Sequence, residues 1–445
     1  MARLISNSPG SRSASQLALG LAVVFLLGLG TPSGIAAADT VKKFELVAGR
    51  RDLVIDEGVV FKAFTFNGTV PGPLLLVEEG DKVEISVRNE DTITHGLSIH
   101  AANTQTSLVV GMLPPAETKT LTFTADFPGV FMYHCAPGGH GIMTHTMGGM
   151  FGMIVVEPKK KYALEEQLGR PPDVKVYVVQ HEVYANGRDF FDGRALYVMM
   201  NGYNFRYVKD PIPVRPGDYV RIYYLNVGPN LVSTFHAVGA IWNYIYYNGN
   251  PANRNAGTQS VLSGPTDSWV IEWQVPAEGP FTFLSHALGT QAIKGAIGVL
   301  SSKNNAPRVE VVRSEGSELP LPETPKRVVN PFGIGSPDLE RPVRYQPGEK
   351  VIVQIVGNSF SPKIIEVPVG TEVTWVNEDV FDFLDEERSG RHNAVTIKGP
   401  TTFESPALSH ADSFTFKFIQ AGEYDYNCTL HPYMRGKVRV YNPQP

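Results

Sequence analysis

The sequence predicts an all-β chain of tandem β-sandwiches, and three observations lead there. Glycine (43) and proline (34) are plentiful among 445 residues without a short period, and only 19% of residues are charged. That profile belongs to a folded chain with many turns and short strands. A spaced pattern then occurs three times, as Val77-x-x-Gly80-x-x-Val83, Val214-x-x-Gly217-x-x-Val220 and Val367-x-x-Gly370-x-x-Val373, each running on to an asparagine, Asn89, Asn226 or Asn377. A turn glycine followed by period-two alternation marks a half-buried strand. Each copy also closes alike: Gly129-Val-Phe-Met-Tyr-His-Cys135, Gly279-Pro-Phe-Thr-Phe-Leu-Ser285 and Gly422-Glu-Tyr-Asp-Tyr-Asn-Cys428. The length is too great for one core, and a repeat at domain length divides it into three.

Taken in chain order, Arg3 and Arg12 flank an uncharged apolar run from Leu17 to Leu29, and Ile35-Ala36-Ala37-Ala38 offers a small-residue cleavage site. The run is short for a bilayer-spanning helix, so residues 1–38 read as a signal peptide. The mature protein is then expected to be periplasmic or otherwise exported, with no membrane span. The sandwiches fall at about 39–160, 170–302 and 346–445. Residues 303–345 carry Pro307, Pro320, Pro322, Pro325, Pro331, Pro337 and Pro342, which favours an extended, semi-rigid linker. Helices are expected only as short pieces, at 162–168 and after His286. The net charge of −5, with a leader holding two arginines and no acid, argues against a nucleic-acid partner or an anionic membrane surface. The two cysteines, Cys135 and Cys428, lie in different domains within metal-loop sequences and read as ligands rather than a disulfide.

The third domain holds the plainest chemistry. Cys428-Thr-Leu-His431-Pro-Tyr-Met434 follows a strand, and His392 lies upstream. A thiolate, two imidazoles and a thioether form a blue-copper electron-transfer set, because soft sulfur suits Cu(I) and imidazole also serves Cu(II). The first domain repeats the idea in His95, Cys135, His145 and Met150. His140 gives a competing Cys-x4-His spacing, with Met143 or Met147 as alternative axial partners. His100 and His134 are left over, and His134 adjoins a ligand. Strand neighbours face opposite ways, so His134 points away from the metal of Cys135 and toward a second one. In the middle domain Ser285 replaces the cysteine, which predicts no blue copper there, and His286 follows it. Three imidazoles with a vacant position describe a catalytic metal site.

These motifs resemble two families. Tyr424 to Val438 is similar to amicyanin and the plastocyanin-like proteins, over about the last hundred residues. Residues 45–300 resemble the copper-containing nitrite reductases, including the opening Asn67-Gly-Thr-Val-Pro-Gly-Pro73. The resemblance implies three cupredoxin-type Greek-key β-sandwich domains in tandem. It implies type 1 copper on His95, Cys135, His145 and Met150, with the family's loop favouring His145 over His140. It also implies type 2 copper on His100, His134 and His286, the last from a neighbouring subunit of a homotrimer. Type 1 copper on His392, Cys428, His431 and Met434 completes two type 1 and one type 2 per chain. His236 matches the active-site histidine that delivers protons. The implied partners are nitrite or a similar small anion and a periplasmic donor, a cupredoxin or cytochrome c.

One position departs from the family, which places an aspartate where this chain has Ser98. A hydroxyl holds water or a substrate oxygen but is a poor proton donor near neutral pH. Two further readings follow: a related enzyme acting on another small nitrogen compound or oxygen, or a non-catalytic electron carrier. A laccase-like cluster is disfavoured, since the paired His-x-His motifs are missing. His181 and His410 match nothing and read as ordinary core or surface histidines.

Overall fold

The computed structural model describes residues 41–137, 141–185, 189–190, 192–316, 318–331, 342–356, 359–378, 390–431 and 434–443. The expected leader and His140 lie outside the described residues. Among the described residues no helix is long and apolar enough to cross a membrane.

Three sandwiches share one topology. In the first, one sheet runs Val59–Phe66, Val41–Asp56, Lys82–Asn89, Thr118–Thr124, and the facing sheet runs Leu75–Glu78, Phe151–Glu157, Gly129–His134, Ser98–Ile99. The second repeats both orders with Tyr197–Met200, Val174–Val183, Tyr219–Gly228, Ser268–Gln274 facing Ile212–Val214, Ile297–Ser302, Gly279–Ser285, Ser233–Ala237. The third does so with Ser359–Ser361, Val351–Val356, Thr371–Asn377, Ser413–Phe418 facing Ile364–Pro368, Arg435–Tyr441, Gly422–Asn427, Val395–Lys398. The repeated glycines explain the shared strand entry, for Gly80, Gly217 and Gly370 all have φ between +83° and +91°. Only glycine takes that conformation without steric cost.

The repeated asparagines end the same strand in each copy, and all are fully buried. Asn89 Nδ2 donates to the carbonyls of Ile93 and Leu113, Asn226 Nδ2 to those of Leu231 and Ser263, and Asn377 Nδ2 to those of Gly390 and Leu408. Each amide thus ties its strand to the loop leading into the facing sheet.

The first two sandwiches pack through their sheets. Val130, Met132, Met153 and Val155 meet Tyr177, Val179, Tyr223 and Leu225 in one buried cluster. The edge is stitched by Val130 N–H to Asn248 O and by Ser268 Oγ–H to Val130 O. A third core gathers around Trp375, Tyr424 and Tyr426.

One sequence expectation needs amending, and a point the sequence left open is filled in. Helices do form at Ala163–Leu168 and, as a 3₁₀ turn, at Ala292–Lys294. Others appear at Ser107–Val110, Gly141–Met147 and Arg206–Lys209. Gly141–Met147 escaped sequence reasoning because a glycine start and two threonines give it low helix propensity; packing holds it instead. The segment after residue 303 is extended but not free. Val311–Val312 pairs with Val174–Val183, and Arg327–Val329 with Val59–Phe66. Between them Glu315 Oε1 accepts from Leu74 N–H at 2.9 Å, so this stretch is a strap across the first two sandwiches.

A charged network anchors Ala163–Leu168. Glu272, fully buried, accepts from Leu164 N–H at 2.8 Å and from the Tyr246 hydroxyl at 2.9 Å, and it pairs with Arg221 at 3.2 Å. The Arg221 guanidinium also reaches Glu165 at 2.7 Å and lies over the Tyr162 ring. Removing one partner of such a pair strands the other charge in a dry interior. Glu272→Ala is therefore expected to cost about 3–5 kcal/mol in chemical denaturation.

Candidate metal centres

The strand Gly129–His134 alternates its side chains, so Tyr133 enters the core and His134 faces the other way, with Cys135 just beyond the strand end. Cys135 Sγ lies 3.6 Å from His95 Nδ1 and 3.5 Å from His145 Nδ1, and the two nitrogens are 3.1 Å apart. All three residues are buried. A near-equilateral set of that size has its centre about 2 Å from each donor, the distance that metal–imidazole bonds require. The donors therefore fit a metal ion. Met150 is buried in the same cluster, its N–H donates to His145 O, and its carbonyl accepts from Cys135 N–H. His145 stands on Gly141–Met147.

A carboxylate that supports His95 was missed from sequence. His95 Nε2 lies 2.9 Å from Asp91 Oδ2, and Arg50 Nε lies 2.7 Å and 2.8 Å from the two Asp91 oxygens. Burial would raise the Asp91 carboxyl, but hydrogen bonds and charge from His95 and Arg50 hold it well below the usual range. The carboxylate accepts from Nε2–H, which leaves the Nδ1 lone pair facing Cys135. The only sequence hint was a repeat, Asn89-Glu-Asp91 recurring as Asn377-Glu-Asp379.

The third sandwich builds a similar set. Cys428 Sγ lies 3.9 Å from His392 Nδ1 and 3.6 Å from His431 Nδ1, with Met434 buried beside it. Thr429 N–H donates to Asn393 Oδ1 at 2.7 Å and pins the ligand loop. The two thiols differ. Burial pushes Cys135 far up, whereas hydrogen bonds from His392 and His431 outweigh burial and bring Cys428 down to about 5.

The remaining histidines form two separate pairs. His134 Nε2 lies 3.1 Å from His100 Nε2, while its Nδ1 donates to Cys135 O at 2.8 Å. Ser98 lies opposite His134 in the sheet, so it shares that face with His134 and, two residues on, with His100. Burial lowers His100; burial and the neighbouring His100 charge lower His134 to about 4. Both imidazoles are then neutral near pH 7 and able to bind a metal. His236 and His286 form the other pair, ring centroids 5.1 Å apart, with His236 Nδ1 donating to Gln259 O at 2.8 Å. Among the described residues no third histidine joins His100 and His134 within one chain. His181 is a core residue, accepting from Gly202 N–H, and His410 is exposed.

Residues 49–161 match the multicopper oxidase family, and residues 350–441 the copper-binding proteins of the plastocyanin/azurin family. A solved Cu-containing nitrite reductase from Thermus scotoductus SA-01 is 57% identical, covers 91% of this chain and 100% of its own, and superposes with a TM-score of 0.73. The chain belongs to the copper-containing nitrite reductase family. A copper nitrite reductase structure from Nitrosomonas europaea is 34% identical over 61% of this chain and 97% of that one, with a TM-score of 0.56. The enzyme from Neisseria meningitidis serogroup A is 33% identical over 267 residues, 56% of this chain and 66% of the relative's length. The Thermus coverage is wide enough to take in the third sandwich.

Two outcomes follow. Asp91→Asn weakens the pull on His95 and is expected to raise the reduction potential of the metal held by Cys135, measured by redox titration of its absorbance. For His134 the folded value of about 4 lies below the free value of 6.5. The unfolded state then binds more protons between those values, so stability falls as pH drops through that window. Metal-free protein should show this loss in pH-dependent melting, and His134→Gln should diminish it.

Proposed function

We infer that the protein reduces nitrite to nitric oxide, with its catalytic centre assembled between copies of the chain. The observation that carries this is the pair of half-sites: His100 with His134 on the first sandwich, His236 with His286 on the second. A homotrimer in which His286 of one copy meets His100 and His134 of the next gives three imidazoles and an open position. Apolar side chains support such a contact. Val232, Val238, Ile241, Leu262, Leu288 and Ile293 are all at least half exposed around the His236–His286 pair. Large exposed apolar groups near an incomplete site mark a protein interface.

Copper, when bound, supplies one-electron transfer at the Cys135 and Cys428 sets and a Lewis-acidic nitrite site at the three histidines. The set of His95, Cys135, His145 and Met150 and the set of His392, Cys428, His431 and Met434 are type 1 in this reading. Cys135 and His134 are adjacent, so one peptide bond links the electron-accepting ligands to the catalytic ones. His431 is only half-buried and offers an edge for electron entry from an exported donor. Nitrite reduction consumes two protons per electron. His236 uses Nδ1 on Gln259 O, which leaves Nε2 to hold and pass a proton. Ser98 contributes a hydroxyl that orients water or substrate, a weaker relay than a carboxylate. The leader directs export to the periplasm and places the reaction within denitrification.

The test is anaerobic: protein shown to hold three coppers per chain is reduced, mixed with nitrite, and followed by blue absorbance and nitric oxide release. Rapid reoxidation with nitric oxide is expected from the wild type, and less than one hundredth of that rate from His286→Ala. Coppers that stay reduced in the fully loaded wild type would sink nitrite and favour another small nitrogen compound or oxygen, the reading Ser98 invites.

A further inference from the structure

The second sandwich has no thiol, yet its backbone keeps every ligand position of a blue-copper site. In the first sandwich Cys135 N–H donates to Met150 O, and Met150 N–H donates to His145 O. In the second, Ser285 N–H donates to Ala296 O, and Ala296 N–H donates to Gln291 O. The strand registers agree as well. Ser98 lies opposite His134, and His236 lies opposite Leu284, the residue before Ser285. Counting back three residues from each puts Ser233 where His95 stands. The four positions of His95, Cys135, His145 and Met150 are thus occupied by Ser233, Ser285, Gln291 and Ala296.

These replacements do not leave a void. Ser285 Oγ–H donates to Gln291 Oε1 at 2.8 Å, Gln180 Nε2–H to the same oxygen at 3.0 Å, and Gln291 Nε2–H to Val232 O at 2.8 Å. Ser233 Oγ–H donates to Gln180 Oε1 at 3.0 Å, and the Tyr224 hydroxyl lies 2.9 Å from Ser233 Oγ. All five side chains are essentially excluded from solvent. Their lone pairs are spent on one another, so the pocket offers a copper ion no convergent soft donors.

We propose that this refilled copper pocket is a strut that positions His286 and His236 for the type 2 centre. The proposal rests on the nitrite reductase reading above. His286 directly follows Ser285, and its own N–H donates to Thr234 O at 2.7 Å. His236 lies three residues beyond Ser233 on the strand paired with Gly279–Ser285. Gln291 closes the loop that begins at His286, with its backbone N–H on Ala287 O at 2.9 Å, and its side-chain amide grips both strands through Ser285 and Val232. A fully satisfied buried network has one low-energy arrangement, and that fixes the two histidines that must meet another subunit's pair. Gln291, Ser285 and Gln180 are therefore positioning residues that act through His286.

The experiment uses the full-length copper-loaded protein with Gln291→Leu and, as a milder change, Ser285→Ala. Copper(II) affinity and the electron paramagnetic resonance signal of the type 2 centre are measured, with full wild-type blue absorbance reporting that the Cys135 and Cys428 sets are both intact. Gln291→Leu should keep the blue absorbance, lose about tenfold or more in type 2 copper affinity, and alter the type 2 hyperfine splitting. Ser285→Ala should move the same readouts in the same direction by less. Wild-type affinity, spectrum and nitrite KM and kcat in Ser285→Ala and in any folded Gln291→Leu would overturn the strut, even with a lowered melting temperature. A wild-type protein with no type 2 signal would instead overturn the underlying reading, before any variant is compared.

Discussion

Each sandwich depends on one buried amide. At the end of Lys82–Asn89, Tyr219–Gly228 and Thr371–Asn377 an asparagine spends both Nδ2 hydrogens on carbonyls of the loops beyond. At least one of the two carbonyls in each sandwich is buried, and losing the amide would leave it unpaired. Leu113 and Leu408 each carry one such carbonyl and exchange backbone hydrogen bonds with His95 and His392. The first imidazole of each copper set is thereby fixed before any metal arrives. In the middle sandwich the same clamp persists, on Leu231 and Ser263, and it serves a hydrogen-bonded cluster instead. A metal-binding scaffold and a polar core are two uses of one backbone frame.

Much of this was legible in the residues because the repeat is written in them. The glycine before the strand, the asparagine after it and the closing Gly-to-Cys stretch each have a local physical role. A single Cys-to-Ser difference separated the two kinds of site. The convergence of His95, Cys135 and His145, and of His392, Cys428 and His431, could also be read, since cysteine and histidine at short spacings have few other uses in one loop. What escaped was held by partners distant in sequence. Arg50 reaches Asp91 across forty-one residues, and nothing in either neighbourhood announces it. The Gly141–Met147 helix is disfavoured by its own composition. The equivalence of Gln291 with His145 appears only through backbone hydrogen bonds, because the two loops differ in length.

The two thiol sites share one arrangement but differ in their surroundings. Cys135 is fully buried with the Nδ1 atoms of His95 and His145 at 3.6 Å and 3.5 Å, and burial pushes its thiol up. At Cys428 the hydrogen bonds from His392 and His431, at 3.9 Å and 3.6 Å, outweigh burial and bring the thiol down. The inner site is sheltered and supported by a carboxylate on His95, while the outer site keeps a half-buried imidazole at the surface.

The strap alters how the third sandwich is leashed. Were the connector free from residue 303, it would be long and its end dilute. Because Arg327–Val329 is paired into the first sandwich, the covalent span to the third counts only from Val329, and the next strand starts at Val343. That leaves fourteen peptide steps, with a reach of at most about 50 Å. A group confined within such a radius is held at an effective concentration in the millimolar range. Any encounter of the third sandwich with the other two is then first order in the protein, and dilution does not weaken it.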